Sequence, residues 1–173
     1  NTPVVLMGYA NPVEALGYEA FANKAKNCGV DGILIVDYPP EESREWVECL
    51  NEYGIDAIFL LSPTTPKSRI EHVAKLAKGY VYYVSLKGVT GASHLDLENV
   101  NMMLKELRRH IAIPIGVGFG IRNGATARAV ANLADAVVIG SRIIEEIEHA
   151  KQDNLLAKVG LLLTSFRKAM DEH

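Results

Sequence analysis

The sequence predicts an α/β fold with a parallel sheet, and three observations carry that prediction. Short apolar runs rich in β-branched residues recur along the chain, helical stripes lie between them, and glycines close those stripes. The runs are Val4–Met7, Ile33–Val36, Ala57–Leu61, Val81–Val84, Ile113–Val117 and Ala136–Ile139. Their first residues are separated by 29, 24, 24, 32 and 23 positions. Continuous rather than alternating apolar character predicts strands buried on both faces, as in a parallel sheet.

The helical stripes follow in order. Trp46, Val47, Leu50 and Tyr53 fall on one helical face, and Ile70, Val73, Ala74 and Ala77 on another. Leu97, Val100, Met103, Leu104 and Leu107 form the stripe after the fourth run. Asn11-Pro12 and Thr65-Pro66 read as an N-cap followed by proline at the first helical position. Gly29, Gly54 and Gly79 stand where a helix ends in a left-handed residue before the next strand. Two helices close the chain, Arg142–Ala150 and Leu155–Met170, the second with Leu155, Leu156, Val159, Leu162, Leu163 and Phe166 on its apolar side.

Six strand–helix units allow two architectures, an open doubly wound sheet or a (β/α)8 TIM barrel. The turn after the first run, Gly8-Tyr9-Ala10-Asn11-Pro12, is not the glycine-rich turn of a doubly wound nucleotide fold. Eight barrel units need ~250 residues. Six units in 173 residues therefore predict an incomplete barrel, residues 1–173 forming a single domain.

Composition limits function. With 49% hydrophobic and 23% charged residues the chain reads as globular, and its net charge of -3 is spread without a basic stripe. That predicts no nucleic-acid partner. No run approaches ~18 apolar residues, so no membrane span is predicted. Cys28 and Cys49 stand too far apart for a CxxC pair and read as reduced, buried thiols, which favours a reducing compartment. Asn1-Thr2-Pro3 runs straight into a strand without initiator methionine, basic n-region or cleavage site, which reads as a cut chain rather than a signal peptide.

In either architecture chemistry gathers at the C-terminal ends of strands. Gly116, Gly118 and Gly120 alternate at one such end, where bare backbone lets N–H groups approach an anion. Gly140-Ser141 follows the next strand and opens a short helix, whose N-terminus and serine hydroxyl suit the same anion. The pair predicts a phosphate site. Ser85 to Ser93 is long for a connector and carries Gly88 and Gly91 around Val89-Thr90, as a closing loop would.

Asp37 is the acid directly at a strand end, open to a catalytic reading and equally to a cap or turn role ahead of Pro39-Pro40. Glu41, Glu42 and Glu45 open a helix and suit its dipole. His72, His94, His110, His149 and His173 have no partner at metal or triad spacing. Tyr80, Tyr82 and Tyr83 read as strand packing.

Five motifs in register resemble the tryptophan synthase α chain: Leu6-Met7 with Tyr9-Ala10-Asn11-Pro12; Asp37-Tyr38-Pro39 before Glu41-Glu42-Ser43; Gly88-Val89-Thr90-Gly91; Gly118-Phe119-Gly120-Ile121; and Gly140-Ser141. The resemblance runs from the family's third strand to its final helix. It implies a barrel of strands 3–8 with the first two βα units absent. It also implies a lyase of tryptophan biosynthesis that reversibly cleaves indole-3-glycerol phosphate into indole and glyceraldehyde 3-phosphate. No cofactor or metal is implied for this chain; the partner is a pyridoxal-phosphate β chain in a cytoplasmic α2β2 complex.

By that resemblance Gly91, Gly118, Gly120, Gly140 and Ser141 would hold the substrate phosphate, with Phe119 beside the substrate. Thr90 would orient a catalytic carboxylate as the loop closes, and Tyr82 would lie near the indole. Tyr9, Asn11, Asp37 and Pro39 would line the mouth that faces the β chain, with Tyr9 and Asp37 also bordering the substrate pocket.

The reaction protonates the indole ring carbon and removes protons from the ring nitrogen and a side-chain hydroxyl, work suited to two carboxylates. In the family these are a glutamate on the second strand and an aspartate in the loop after it, both upstream of Asn1. The binding half of the site is therefore expected here and the acid–base half is not. Another phosphate-binding barrel, of ribulose-phosphate epimerase or thiamine-phosphate synthase type, would need metal ligands or a pyrophosphate set at strand ends that carry neither. A non-catalytic fragment that associates through exposed strand edges is the reading from a different class.

Overall fold

The computed structural model describes residues 2–85, 96–118 and 120–172. All six expected strands form, with limits shifted by no more than two residues: β1 Val5–Gly8, β2 Gly32–Ile35, β3 Asp56–Leu61, β4 Val81–Val84, β5 Ile115–Gly118 and β6 Ala136–Val138. The helices are α1 Ala10–Leu16, α2 Tyr18–Asn27, α3 Arg44–Glu52, α4 Lys67–Leu76, α5 Leu97–Leu107, α6 Gly124–Ala131, α7 Ser141–His149 and α8 Leu155–Asp171. A 3-10 turn at Pro40–Glu42 leads into α3.

The chain divides into two compact units, Asn1–Tyr82 with Leu107–Pro114, and Tyr83–Glu106 with Ile115–His173. In the first, β1 pairs with β2 and β2 with β3, all parallel, in the registers Leu6↔Ile33 and Ile33↔Ala57. Its core joins Ile33, Leu34, Ala57, Ile58 and Leu61 of the strands to Trp46, Val47 and Leu50 of α3 and Ile70 and Val73 of α4. In the second, β5 pairs with β6 in parallel, Gly118 opposite Val138. Ile115, Val117, Ala127, Val130 and Phe166 are buried there. Helices α6 and α8 approach so closely that a Cβ on Gly124 would stand 2.7 Å from that of Ala169.

Aspartates at strand starts add cross-links to the ladders. Asp31, just before β2, accepts the Val4 N–H at 2.8 Å, and Asp135, just before β6, accepts the Ile115 N–H at 2.9 Å. Gly29, Gly54 and Gly79 all take positive φ, as a left-handed helix end requires.

Several expectations are corrected. β1 is not buried: Val5, Leu6 and Met7 are 37%, 40% and 59% exposed, because the strand pairs with β2 alone among the described strands. Asn11-Pro12 does not cap α1, which begins at Ala10; Asp37 accepts the Ala10 N–H instead, at 2.8 Å. Thr65 does not cap α4 either. Pro66 holds that position, and the Thr65 hydroxyl closes a turn by accepting the Ser62 N–H. Ala74 turns to solvent on α4, as do Leu156 and Leu163 on α8. Cys28, past the end of α2, is exposed rather than buried, Cys49 is partly so, and both are free thiols. Among the described residues no helix is long and apolar enough to cross a membrane.

Candidate functional site

In the second unit two turns lie at the C-terminal ends of adjacent strands. β5 ends at Gly118, which is buried, and the chain then passes Gly120 at φ +74°. There a side chain would be strained even though an added Cβ would meet nothing within 4 Å. Beyond it Asn123 caps α6, its Oδ1 accepting the Thr126 N–H at 2.9 Å. Ser85, at the end of β4 and 5% exposed, donates both its N–H and its hydroxyl to the Gly118 carbonyl, at 3.2 and 3.3 Å. The carbonyl of Gly118 is thereby occupied inside the protein.

Gly140 precedes α7 and Ser141 is its first residue. The N–H groups of Ile143 and Ile144 both close on the Gly140 carbonyl, at 2.8 and 3.2 Å. Those of Ser141 and Arg142 therefore lead the helix without an intrahelical acceptor. Space beside Gly140 is open within 4 Å of an added Cβ. An anion placed here meets amide N–H groups, a helix dipole and a serine hydroxyl together.

Sequence spacing gave no sign of the ion pair that joins these turns. Arg122 Nη2, two residues past Gly120, contacts Glu145 Oε1 of α7 at 2.6 Å. A second pair, Arg142 Nη2 to Glu146 Oε2 at 2.7 Å, lies at helical spacing, where it was legible. Gly118, Gly120, Gly140 and Ser141 thus belong to one unit, at the ends of two paired strands. Thr90, Gly91 and Phe119 lie outside the described residues, as do His94 and His173.

The remaining candidates belong to the first unit. Tyr9 is 64% exposed, Asn11 is exposed and Pro39 half-buried. Asp37 is exposed and engaged by the Ala10 N–H, so it caps α1 from the end of β2 rather than the helix after Pro39-Pro40. Glu14, one turn along α1, accepts the hydroxyls of both Tyr18, at 3.0 Å, and Tyr38. Those rings pack with Trp46, at centroid distances of 5.3 Å for Tyr18 and 6.3 Å for Tyr38. Burial first, and then the bond to Glu14, push the Tyr38 hydroxyl well above the usual tyrosine range. Tyr82 is half-buried on β4, and burial raises its hydroxyl too.

Of the helix-opening acids, Glu41 takes a structural partner. Glu41 meets Arg69 Nε at 3.0 Å, and its own backbone N–H first, then Arg69, hold its carboxyl below the usual range. His149 Nδ1 lies 2.6 Å from the Glu145 carbonyl. Among the described residues no cluster of His, Cys, Asp or Glu is arranged to hold a metal.

Comparison with known proteins places the chain. It matches the family model described as tryptophan synthase alpha chain over residues 1–171. Curated relatives of that name come from Nitrosomonas europaea, 67% identical over 171 residues, and Nitrosospira multiformis, 68% identical over 171. Each alignment covers 99% of this chain and 62% or 61% of the relative, so the chain spans about six-tenths of their length. The crystal structure of tryptophan synthase subunit alpha from Legionella pneumophila superposes with a TM-score of 0.88 at 39% identity, covering 98% of this chain and 63% of that one. A tryptophan synthase complex from Pyrococcus furiosus gives 0.83 at 30%, covering 96% and 66%. The fold is that of an incomplete (β/α)8 barrel, and the chain belongs to the tryptophan synthase alpha chain family.

Proposed function

We propose that this chain supplies the phosphate-binding part of a tryptophan synthase alpha chain, the lyase that cleaves indole-3-glycerol phosphate to indole and glyceraldehyde 3-phosphate. One observation carries the reading. Gly118-Gly120 and Gly140-Ser141 stand at the ends of two paired strands, with the opening N–H groups of α7 beside them. Phosphate-binding barrels place their phosphate in this position, after the last two strands.

The role of these residues is to bind and orient. Fixing the phosphate of the substrate fixes the glycerol chain that ends in it, and so the bond to be broken. Gly91 and Thr90, by resemblance, bring the loop after β4 to the same ligand, with Phe119 beside it. Tyr82 faces the indole in this reading. The proton transfers fall to the two family carboxylates, which lie outside residues 1–173. Tyr9, Asn11, Asp37 and Pro39 form the mouth for a β chain in the cytoplasm. A solved neighbour at 32% identity is described as an a2b2 complex, which supports that partner.

The test uses two polypeptides. One is the 173-residue chain, which releases no indole from indole-3-glycerol phosphate. The other is a chimaera in which residues 1–171 replace the matching 62% of the Nitrosomonas europaea chain. It turns the substrate over and is inhibited by glycerol phosphate. Turnover by the 173 residues alone, or a chimaera that folds without activity, refutes the proposal.

A further inference from the structure

We propose that the Arg122–Glu145 ion pair is a positioning latch for the phosphate cradle, fixing the turn that carries Gly118 and Gly120 against the first turns of α7. The inference rests on the phosphate reading of that cradle and adds to it a pair of residues that touch no ligand. Arg122 sits two residues beyond Gly120, and Glu145 sits one helical turn beyond Ser141. Their 2.6 Å contact joins the two halves of the cradle side chain to side chain.

A polar tie has unusual influence here because no residue of α7 is buried. Side-chain packing alone fixes that helix weakly, while anion binding at its N-terminus depends on where the Ser141 and Arg142 N–H groups point. The pair itself is a surface contact, with side chains 64% and 36% exposed, so its contribution to overall stability is small. An effect on ligand binding without an effect on folding is its signature. Glu146, the neighbouring carboxylate, is already paired to Arg142 within the helix and leaves Glu145 to its cross-turn partner.

The experiment uses the active chimaera with its β chain and four variants: Arg122→Met, Glu145→Gln, the double variant and Arg122→Lys. The latch predicts that both single variants raise KM for indole-3-glycerol phosphate by about three- to five-fold. kcat stays at the parental value, and the double variant equals either single. The inhibition constant of inorganic phosphate rises by the same factor, and Arg122→Lys restores most of the loss. The latch is overturned if the two single variants move KM in opposite directions, which is the mark of net charge near the anion. Additive effects in the double variant, or a fall in kcat at constant KM, overturn it equally. Gly140→Asp separates the two levels: if it leaves KM unchanged the phosphate reading itself fails, whereas if it alone raises KM only the latch falls.

Discussion

Replacing Gly140 by aspartate perturbs the protein in two directions at once. The residue precedes α7 at φ −120°, which any amino acid adopts, and an added Cβ meets no atom within 4 Å. Aspartate is a favoured N-cap, and its charge opposes the positive end of the helix. Together these are worth about 0.5–1 kcal/mol to the fold. For a phosphate bound to the same N–H groups the carboxylate is a like charge at contact range. Two unit charges ~4 Å apart at an effective dielectric of ~20 repel by ~4 kcal/mol, and salt and solvent reduce that to roughly 2–4 kcal/mol. The expected result is a melting temperature equal to or above the parent's, with KM for indole-3-glycerol phosphate raised about 30- to 1,000-fold. Steady-state kinetics and a thermal melt of the chimaera read both quantities. A KM within threefold of the parental value, or a fall of several degrees in melting temperature, refutes the reasoning.

Three further outcomes are expected. Gly120→Ala destabilises by about 1–2 kcal/mol from backbone strain alone, since φ is +74° and the space is open; a urea titration measures it. Gly79→Ala costs more than Gly54→Ala, both being at positive φ. Only at Gly79 would the new Cβ stand 2.7 Å from Asp56 Oδ2, whereas the nearest atom to Gly54 is Lys26 Nζ at 3.6 Å. Comparison of their urea midpoints isolates the clash, and equal midpoints would contradict it. Alkaline stability should depend on Tyr38. Its folded-state ionisation is raised, so the contribution is present below pH ~10 and is lost as pH rises above that value. Tyr38→Phe therefore loses less stability than the parent above pH ~10, as denaturant midpoints across pH 8–11 would show.

Strand positions were legible because a strand buried on both faces needs a short unbroken apolar run, here rich in β-branched residues and bounded by turn residues. Exposure was less so. β1 carries the same apolar signature as β2, yet its burial depends on neighbours that a local pattern does not encode. Helix starts failed for a related reason. Asn11 and Thr65 are good caps by type, but the acceptor for the Ala10 N–H came from Asp37, 27 residues away, and Thr65 was taken by a turn. The strand-end glycines proposed to bind phosphate stood out because strand ends are where a barrel's backbone approaches a ligand. Arg122 and Glu145 were not, since no rule of spacing links residues 23 apart.

Asp31 and Asp135 have a consequence for how the sheet is assembled. A parallel pair has no hairpin turn to set its alignment, and a slip of one residue would send every side chain to the opposite face. Asp31 stands just before β2 and holds the N–H of Val4, the residue that leads into β1, while Asp135 stands just before β6 and holds the first N–H of β5, so each acts as a gauge of alignment. The gauge spans 27 residues in one case and 20 in the other. For these two pairs the alignment is specified inside a single strand–helix–strand segment, by contacts of short sequence separation. In these two segments the chain carries its own measure of where the next strand belongs.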